Sequence, residues 1–393
     1  MPYVIYIFAI SAFALGLAEF LPIGLTAQIA ADLGIGAGQT GSIVAAYALG
    51  ATVAAPLLTA LTMNWSRKSA MLTTALVFSL GSFLAAFSDS LAVMTASRFV
   101  AGLGHGLFLA VASSTAAQLA GANKAGSAVA VVFGGFTVAM AVGVPVSTWL
   151  GGVLPWRWLM AAIGVFGAVG FFGLLFGMKD PLVTLQRVSA KKTLALIFHP
   201  ALLSAALVTV LAYSGSFASY TYITPLLTDV AGVSASSIGL YMLAYGVAAA
   251  VGNILGGKLT DRLGERKANY LLINGIILTS AAIALFASHA AVMLVLVALL
   301  GMFTFAVVPS LQARLLSIAG KKVPHAQGVA AGLNIAGFNS GIALGSFSGG
   351  IAAAQTGLAS TAVLGVVLSL AGLALLVSQV ARARRGEVAV NTI

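Results

Sequence analysis

Long runs of apolar residues dominate this chain, and short polar breaks separate them. An α-helix needs about 20 consecutive apolar residues to cross the hydrocarbon core of a membrane. Eleven breaks between such runs predict an all-α membrane protein with twelve transmembrane helices. These breaks lie near residues 32–40, 64–68, 88–90, 121–126, 154–158, 179–200, 228–237, 258–267, 288–290, 320–325 and 354–360.

The scarcity of charged residues supports this prediction. They make up 7% of the 393 residues and the mean hydropathy is +1.08, whereas a soluble domain carries about 25% charged residues. The net charge of +11 comes from basic residues scattered between apolar runs, so we expect no binding of nucleic acid. The chain has no cysteine, which excludes disulfides, and we expect no metal and no cofactor. Its apolar start favours a first transmembrane helix over a cleaved signal peptide.

The positions of the basic residues predict the orientation in the membrane. If the N-terminus is cytoplasmic, all but two of the 19 Lys and Arg residues fall in cytoplasmic loops and tails. The exceptions are Arg157, on the opposite side, and Arg98, inside a helix. Cytoplasmic segments of membrane proteins carry an excess of Lys and Arg. Both termini are therefore predicted to be cytoplasmic.

The longest polar stretch lies in the middle of the chain. It predicts an N-terminal six-helix bundle at 1–178, a cytoplasmic linker at 179–199, a C-terminal six-helix bundle at 200–385 and a cytoplasmic tail at 386–393. The halves also match in sequence, 41–47 with 239–245 at an offset of 198 and 67–68 with 266–267 at an offset of 199. Ordered matches of this kind indicate a duplication. Two parallel repeats place a substrate cavity between them, near the membrane midplane.

Ionisable side chains inside the predicted helices are the strongest candidates for function. Glu19 is the one acidic residue, of eight, that lies clearly within a span. Arg98 and His105 lie two helical turns apart on one face of the fourth predicted helix, at a depth similar to that of Glu19. Charge inside a membrane is costly and is usually functional. The three residues form either a proton-coupling cluster or a static Glu19–Arg98 ion pair beside a packed core histidine.

Weaker signals come from other polar residues and from glycines. The candidates for the substrate cavity are Tyr47, Tyr220, Tyr222, Tyr245, Asn253, Asn334 and Asn339. Hydrogen bonding between helices is the alternative role for the asparagines. Gly337, Gly341, Gly345 and Gly349 recur every four residues and predict one close-packed helix face.

Several motifs resemble those of the major facilitator superfamily. Residues 257–267, Gly-Lys-Leu-Thr-Asp-Arg-Leu-Gly-Glu-Arg-Lys, are similar to its cytoplasmic loop signature. Residues 19–24, 98–106, 156–158 and 334–341 resemble motifs of its twelve-helix drug–proton antiporter branch. Within that branch, the chain is most similar to the sugar and chloramphenicol efflux group. By this resemblance, the conformational loop motif comprises Gly257, Asp261, Arg262, Gly264, Arg266 and Lys267, and a partial fifth-helix motif comprises Gly134, Gly143 and Pro145.

The resemblance implies a secondary transporter of the bacterial cytoplasmic membrane that exports small neutral or amphipathic solutes, such as sugars or chloramphenicol, in exchange for protons. Its expected partners are protons, a small-molecule substrate and the lipid bilayer, and we expect a monomer. The sequence leaves open a carrier or channel without proton coupling, and an importer. It contains no zinc-protease, nucleophile-elbow or phosphate-loop motif, so we do not predict an enzyme.

Overall fold

The described part of the chain contains twelve long helices joined by short helices and turns. The computed structural model describes residues 2–58, 61–62, 65–120, 125–179, 195–323 and 327–390. In chain order the helices are α1 (Val4–Gly24), α2 (Ala37–Leu58), α3 (Arg67–Ala86), α4 (Leu91–Ala120), α5 (125–151), α6 (Trp156–Gly177), α7 (Pro200–Tyr220), α8 (238–263), α9 (265–286), α10 (Ala290–Lys322), α11 (Gln327–Thr356) and α12 (Ser360–Val390).

The predicted linker and tail are only partly described. Residues 180–194 of the linker and 391–393 of the tail lie outside the described residues. Helix α7 begins at Pro200, the first residue of the predicted C-terminal bundle, and α12 continues to Val390, five residues into the predicted tail. Three other predicted breaks, at 64–68, 121–126 and 320–325, also fall partly on residues that are not described.

Local sequence sets where helices begin and end. The Ser66 side chain accepts a hydrogen bond from the Ser69 backbone N–H, which caps the start of α3. After α1, a short helix (Thr26–Leu33) extends the chain and ends at Gly34. Gly34 has φ 63°, the left-handed conformation that glycine adopts without steric cost.

The predicted break at 258–267 is much shorter in the structure. Helical conformation runs from Ile238 to Phe286 with one interruption, Gly264, at φ 76° and ψ 155°. Only glycine enters this backbone region readily, so a single residue separates α8 from α9. The predicted break separates two membrane spans, but helical conformation continues through its polar residues on both sides of Gly264.

The two halves of the chain have matching interiors. Helices α2 and α4 pack together in the first half, and α8 and α10 do so in the second. A Cβ on Gly102 of α4 would lie 2.0 Å from the Tyr47 carbonyl oxygen, and one on Gly301 of α10 would lie 2.5 Å from the Tyr245 carbonyl oxygen. The same glycine-to-carbonyl packing, at equivalent positions, supports the predicted duplication. Helices α2 and α11, and helices α5 and α8, pack across the boundary between the halves.

The glycine face of α11 is confirmed. A Cβ on Gly341 would lie 2.8 Å from the Val210 carbonyl oxygen, and one on Gly345 would lie 2.3 Å from the Ser214 carbonyl oxygen. Side chains at these positions would therefore collide with the α7 backbone, so the glycines serve helix packing.

The exterior of the bundle is apolar. Large side chains such as Leu84, Phe176, Leu278 and Leu285 are more than half exposed. Ten helices of the described residues are long and apolar enough to cross a membrane, and one of them, Ala235–Phe286, has 52 residues and therefore supplies two crossings, α8 and α9. Since the helices alternate in direction, α1 begins and α12 ends at one end of the bundle. We call this the terminal end and the opposite one the distal end.

Candidate functional site

Three predicted residues and one tyrosine meet inside the first half, and we call them the charged cluster: Glu19, Tyr47, Arg98 and His105. Their exposed fractions are 4%, 1%, 1% and 2%. Nδ1 of His105 lies 3.0 Å from the Tyr47 hydroxyl and 3.8 Å from Oε2 of Glu19. The sequence assigned Tyr47 to the substrate cavity, whereas the structure places its hydroxyl among the ionisable groups.

Arg98 does not form the static ion pair with Glu19 that the sequence left open as an alternative to proton coupling. Its Nη2 donates a hydrogen bond of 2.6 Å to the Ala18 carbonyl oxygen. Its guanidinium carbon lies 4.2 Å from the centre of the Tyr47 ring, in a cation–π contact. None of the ion pairs among the described residues joins Arg98 to Glu19. Arg98 is thus held by a peptide oxygen and a ring, while its positive charge remains close to the carboxylate.

Close packing of α2 against α4 brings the cluster together. A Cβ on Gly50 would lie 2.2 Å from the Phe99 carbonyl oxygen, and one on Gly106 would lie 2.3 Å from the Ala51 carbonyl oxygen. With Gly102, these glycines allow the two backbones to touch. The glycines around Arg98 and His105 are therefore needed to bring Tyr47 within reach of both side chains.

Next to the charged cluster, aromatic rings connect the two halves of the chain. The Phe20 ring, one residue after Glu19, lies 6.2 Å from Phe217 of α7 and 6.1 Å from Phe305 of α10, between ring centres. Tyr220 and Tyr245 stack at 3.8 Å with an interplanar angle of 8°. We call this group the aromatic cluster: Phe20, Phe136, Tyr213, Phe217, Tyr220, Tyr245, Phe305 and Phe338. Its phenylalanines were not singled out in the sequence, since 21 phenylalanines look alike there.

The predicted asparagines have three different environments. The Asn334 amide joins Thr209 of α7 to Gln312 of α10 by two hydrogen bonds of 2.7 Å, which favours a structural role. Asn339 donates to the Ile335 carbonyl oxygen at 3.0 Å, and its own side-chain oxygen has no partner among the described residues. Asn253 is exposed.

Tyr222 lies at a tight contact between the halves, away from the aromatic cluster. Its hydroxyl lies 2.7 Å from the Ser346 carbonyl oxygen of α11 and 3.2 Å from the Gly38 carbonyl oxygen of α2. A Cβ on Gly350 would lie 2.2 Å from the Gly38 carbonyl oxygen. We call this contact the distal seam: Gly38, Gly41, Tyr222, Ser346 and Gly350.

The seam closes the distal end of the bundle, while α5 and α8 separate towards the terminal end. Nearer the distal end, a Cβ on Gly246 would lie 2.3 Å from the Met140 carbonyl oxygen. Towards the terminal end, a Cβ on Gly134 or Gly257 would meet no atom of the described residues within 4 Å.

The remaining motif residues lie outside both clusters. Gly143 packs against Leu17 of α1, and Pro145 is buried. Gly134 makes no close contact with the described residues, whereas a Cβ added to its neighbour Gly135 would lie 1.9 Å from the Ala9 carbonyl oxygen. In the loop motif, Asp261 and Arg262 are exposed and take part in no ion pair among the described residues. Arg266 and Lys267 follow Gly264 in the first turn of α9.

The sequence did not predict an ion pair between Asp32 and Arg157 at the distal end. The Arg157 guanidinium donates to the Asp32 carboxylate and, at 2.8 Å, to the Ser88 carbonyl oxygen, while Trp156 Nε1 donates to Asp32 at 3.1 Å. The hydrogen bond from Arg157 holds the pKa of Asp32 below its usual range. The contact ties the short helix after α1 to the start of α6, so α1 and α6 are fixed together at this end.

Comparisons with known proteins agree with this architecture. The family model described as Major Facilitator Superfamily matches residues 8–345. An inner membrane transport protein of Escherichia coli, YdhP, is 37% identical over 371 residues, 94% of this chain and 93% of its own. A chloramphenicol resistance protein of Streptomyces lividans is 35% identical over 341 residues, 85% of this chain and 86% of its own.

Solved structures share the fold at low sequence identity. The nucleoside transporter NupG, solved as a point mutant, matches with a TM-score of 0.76 at 17% identity, over 96% of this chain and 98% of its own. The human organic anion transporter MFSD10 matches with a TM-score of 0.69 at 19% identity, over 95% of this chain and 97% of its own. With the family model and the relatives, they show that the chain belongs to the major facilitator superfamily, a family of membrane transporters.

Proposed function

We propose that the chain exports small neutral or amphipathic solutes by alternating access, in exchange for protons that Glu19 carries. The observation that carries the proposal is the position of one buried carboxylate beside rings from both halves. Glu19 precedes Phe20, whose ring contacts α7 and α10. A change in the charge of Glu19 therefore acts one residue away from the contacts that hold the halves together.

The charged cluster has the chemistry that proton exchange requires. Glu19 accepts a proton, and the Arg98 charge nearby stabilises the ionised carboxylate without a hydrogen bond to it. Arg98 is fixed by Ala18 and Tyr47, so it stays in place when Glu19 changes charge. A channel would not need a buried acid at this position.

The aromatic cluster supplies a surface for the substrate. Stacked and edge-on rings bind flat or apolar groups, and Tyr213, Tyr220 and Tyr245 add phenol hydroxyls to the same cluster. Among the described residues of the second half, the buried charged side chain is Arg314, which donates to Gln379 of α12 and makes no cation–π contact with the rings, and this favours neutral substrates. The names of two relatives, the chloramphenicol resistance protein and a chloramphenicol efflux pump of Mycobacterium tuberculosis, support the same substrate class.

Purified protein in liposomes tests the function. With an acidic lumen, we expect accumulation of at least one of chloramphenicol, a nucleoside and a pentose against its own gradient, and collapse of that gradient on addition of an uncoupler. Uptake that stops at equal concentrations would instead identify a facilitated carrier or channel. Accumulation only with an alkaline lumen would identify an importer.

We propose that the terminal end faces the cytoplasm of a bacterial inner membrane, since the basic residues concentrate there. Ser236 lies exposed at the distal end and Lys322 at the terminal end, and the natural chain has no cysteine. In intact cells, a membrane-impermeant thiol reagent should label Ser236→Cys, and should label Lys322→Cys only after permeabilisation. Labelling of both from the same side would contradict this orientation, and the wild-type chain is the unlabelled control.

A further inference from the structure

His105 has two competing partners for one nitrogen. Its Nδ1 lies 3.0 Å from the Tyr47 hydroxyl, within hydrogen-bond distance, and 3.8 Å from Oε2 of Glu19, beyond it. A single nitrogen makes one good hydrogen bond, so the tyrosine holds the histidine and the carboxylate does not.

The Tyr47 hydroxyl cannot easily leave this position. The hydroxyl donates to the Leu15 carbonyl oxygen at 3.3 Å, one turn of α1 before Glu19. The Tyr47 ring also makes a cation–π contact with the Arg98 guanidinium. Since a carbonyl only accepts, a tyrosine proton directed at Leu15 leaves the phenol oxygen to accept from Nδ1–H of His105. In the tautomer of His105 that carries its proton on Nδ1, this hydrogen bond to Tyr47 keeps the N–H group from the carboxylate.

The second half of the chain shows how a tyrosine at the equivalent position packs when it has no charged neighbours. Tyr245 has the same backbone setting against Gly301 as Tyr47 has against Gly102. Its ring instead stacks on Tyr220. At the offset of 199, Arg98 and His105 correspond to Val297 and Thr304. The role of Tyr47 thus arises from its charged neighbours and not from packing that both halves share.

We propose that Tyr47 is a positioning residue of the charged cluster, which holds His105 away from Glu19 and so preserves the affinity of that carboxylate for protons. This inference rests on the proposed function of Glu19. If the hydroxyl is removed, Nδ1–H of His105 turns to the carboxylate. Hydrogen bonds to ionised acceptors are stronger than those to neutral ones, so the contact stabilises the ionised form of Glu19. Protonation of Glu19 then requires a lower pH.

Other groups around Glu19 do not replace this effect. From the second half, the Tyr213 phenol of α7 interacts electrostatically with the carboxylate. Helix α5 contributes no titratable residue within 125–151, and in α6 the titratable residue, Arg157, pairs with Asp32 at the distal end. On α2 and α4, the polar neighbours of Glu19 among the described residues are Tyr47, Arg98 and His105 itself.

Infrared difference spectroscopy of the purified full-length protein tests the proposal without a substrate. The band of a protonated carboxyl group is followed as pH changes, and Glu19→Gln identifies the Glu19 contribution. In Tyr47→Phe, we expect its midpoint to move to lower pH by about one unit, a tenfold loss of proton affinity. Tyr245→Phe, at the matching position of the other half, should leave the midpoint unchanged.

A double substitution separates positioning from a general effect of losing the hydroxyl. His105→Leu and Tyr47→Phe/His105→Leu should share one midpoint, because the competing N–H group is absent from both. An unshifted midpoint in Tyr47→Phe, or a full shift that persists in the double variant, would overturn the inference while leaving the role of Glu19 intact. An unchanged spectrum in Glu19→Gln would overturn the proposed function and this inference with it.

Discussion

Glu19→Gln is expected to abolish proton-driven accumulation of substrate while substrate binding persists. The amide keeps the size of the carboxyl group but cannot take up or release a proton. Because Arg98 is held by the Ala18 carbonyl and the Tyr47 ring, it does not lose a hydrogen-bond partner in the variant. We therefore expect the protein to fold and its melting temperature to change little.

Three measurements on one purified sample distinguish the alternatives. In Glu19→Gln, substrate binding and thermal stability should be retained, whereas gradient-driven uptake should be lost. A variant that unfolds readily would indicate a structural role for the Glu19 charge, since the nearby Arg98 charge would be left uncompensated in a low-dielectric interior. Selective loss of binding for cationic compounds would indicate that Glu19 serves as a counter-ion for substrate.

Gly350→Ala is expected to open the distal seam and to reduce transport about fivefold or more. The new methyl group would lie 2.2 Å from the Gly38 carbonyl oxygen and 2.5 Å from the Tyr222 hydroxyl, so the closed seam cannot accept it unchanged. Overpacking of this kind costs about 1–3 kcal/mol. That cost falls on the distally closed state, so the population moves towards the open one.

A matched control is available on the same helix. A Cβ at Gly332 meets no atom of the described residues within 4 Å, so Gly332→Ala should transport normally. In each background, Thr224→Cys reports on the seam, because Thr224 is buried and donates to the Ile23 carbonyl oxygen across the halves at 2.8 Å. Faster labelling of this cysteine in Gly350→Ala than in Gly332→Ala is the expected result, and equal labelling with equal transport would contradict the seam as a gate.

The features that follow from composition and local spacing were predictable. A lone acid within an apolar run stands out because charge in lipid is rare, so Glu19 was found without a structure. Arg98 and His105 followed from their depth and their shared helix face. The α11 glycine face followed from its period of four residues.

Features that depend on contacts between distant segments were not predictable. Tyr47 and Tyr245 occupy equivalent sequence positions in the two halves. Only their neighbours in the folded chain place Tyr47 among charged groups and Tyr245 in a stack of aromatic rings. The partner of Arg98 is a peptide oxygen, which no residue type reveals. Asp32 and Arg157 are 125 residues apart in the chain, and their ion pair needs the folded bundle to be seen.

Recording substrate and proton fluxes together in the same liposomes tests proton exchange through Glu19 most directly. Vesicles are loaded with a transported compound, chloramphenicol first, and with a pH-sensitive dye, and are then diluted so that the substrate gradient points outward. In the wild-type protein, substrate leaving should drive protons inward and acidify the lumen. The Glu19→Gln protein should still exchange labelled for unlabelled substrate with no acidification, and equal acidification in both proteins would contradict the account.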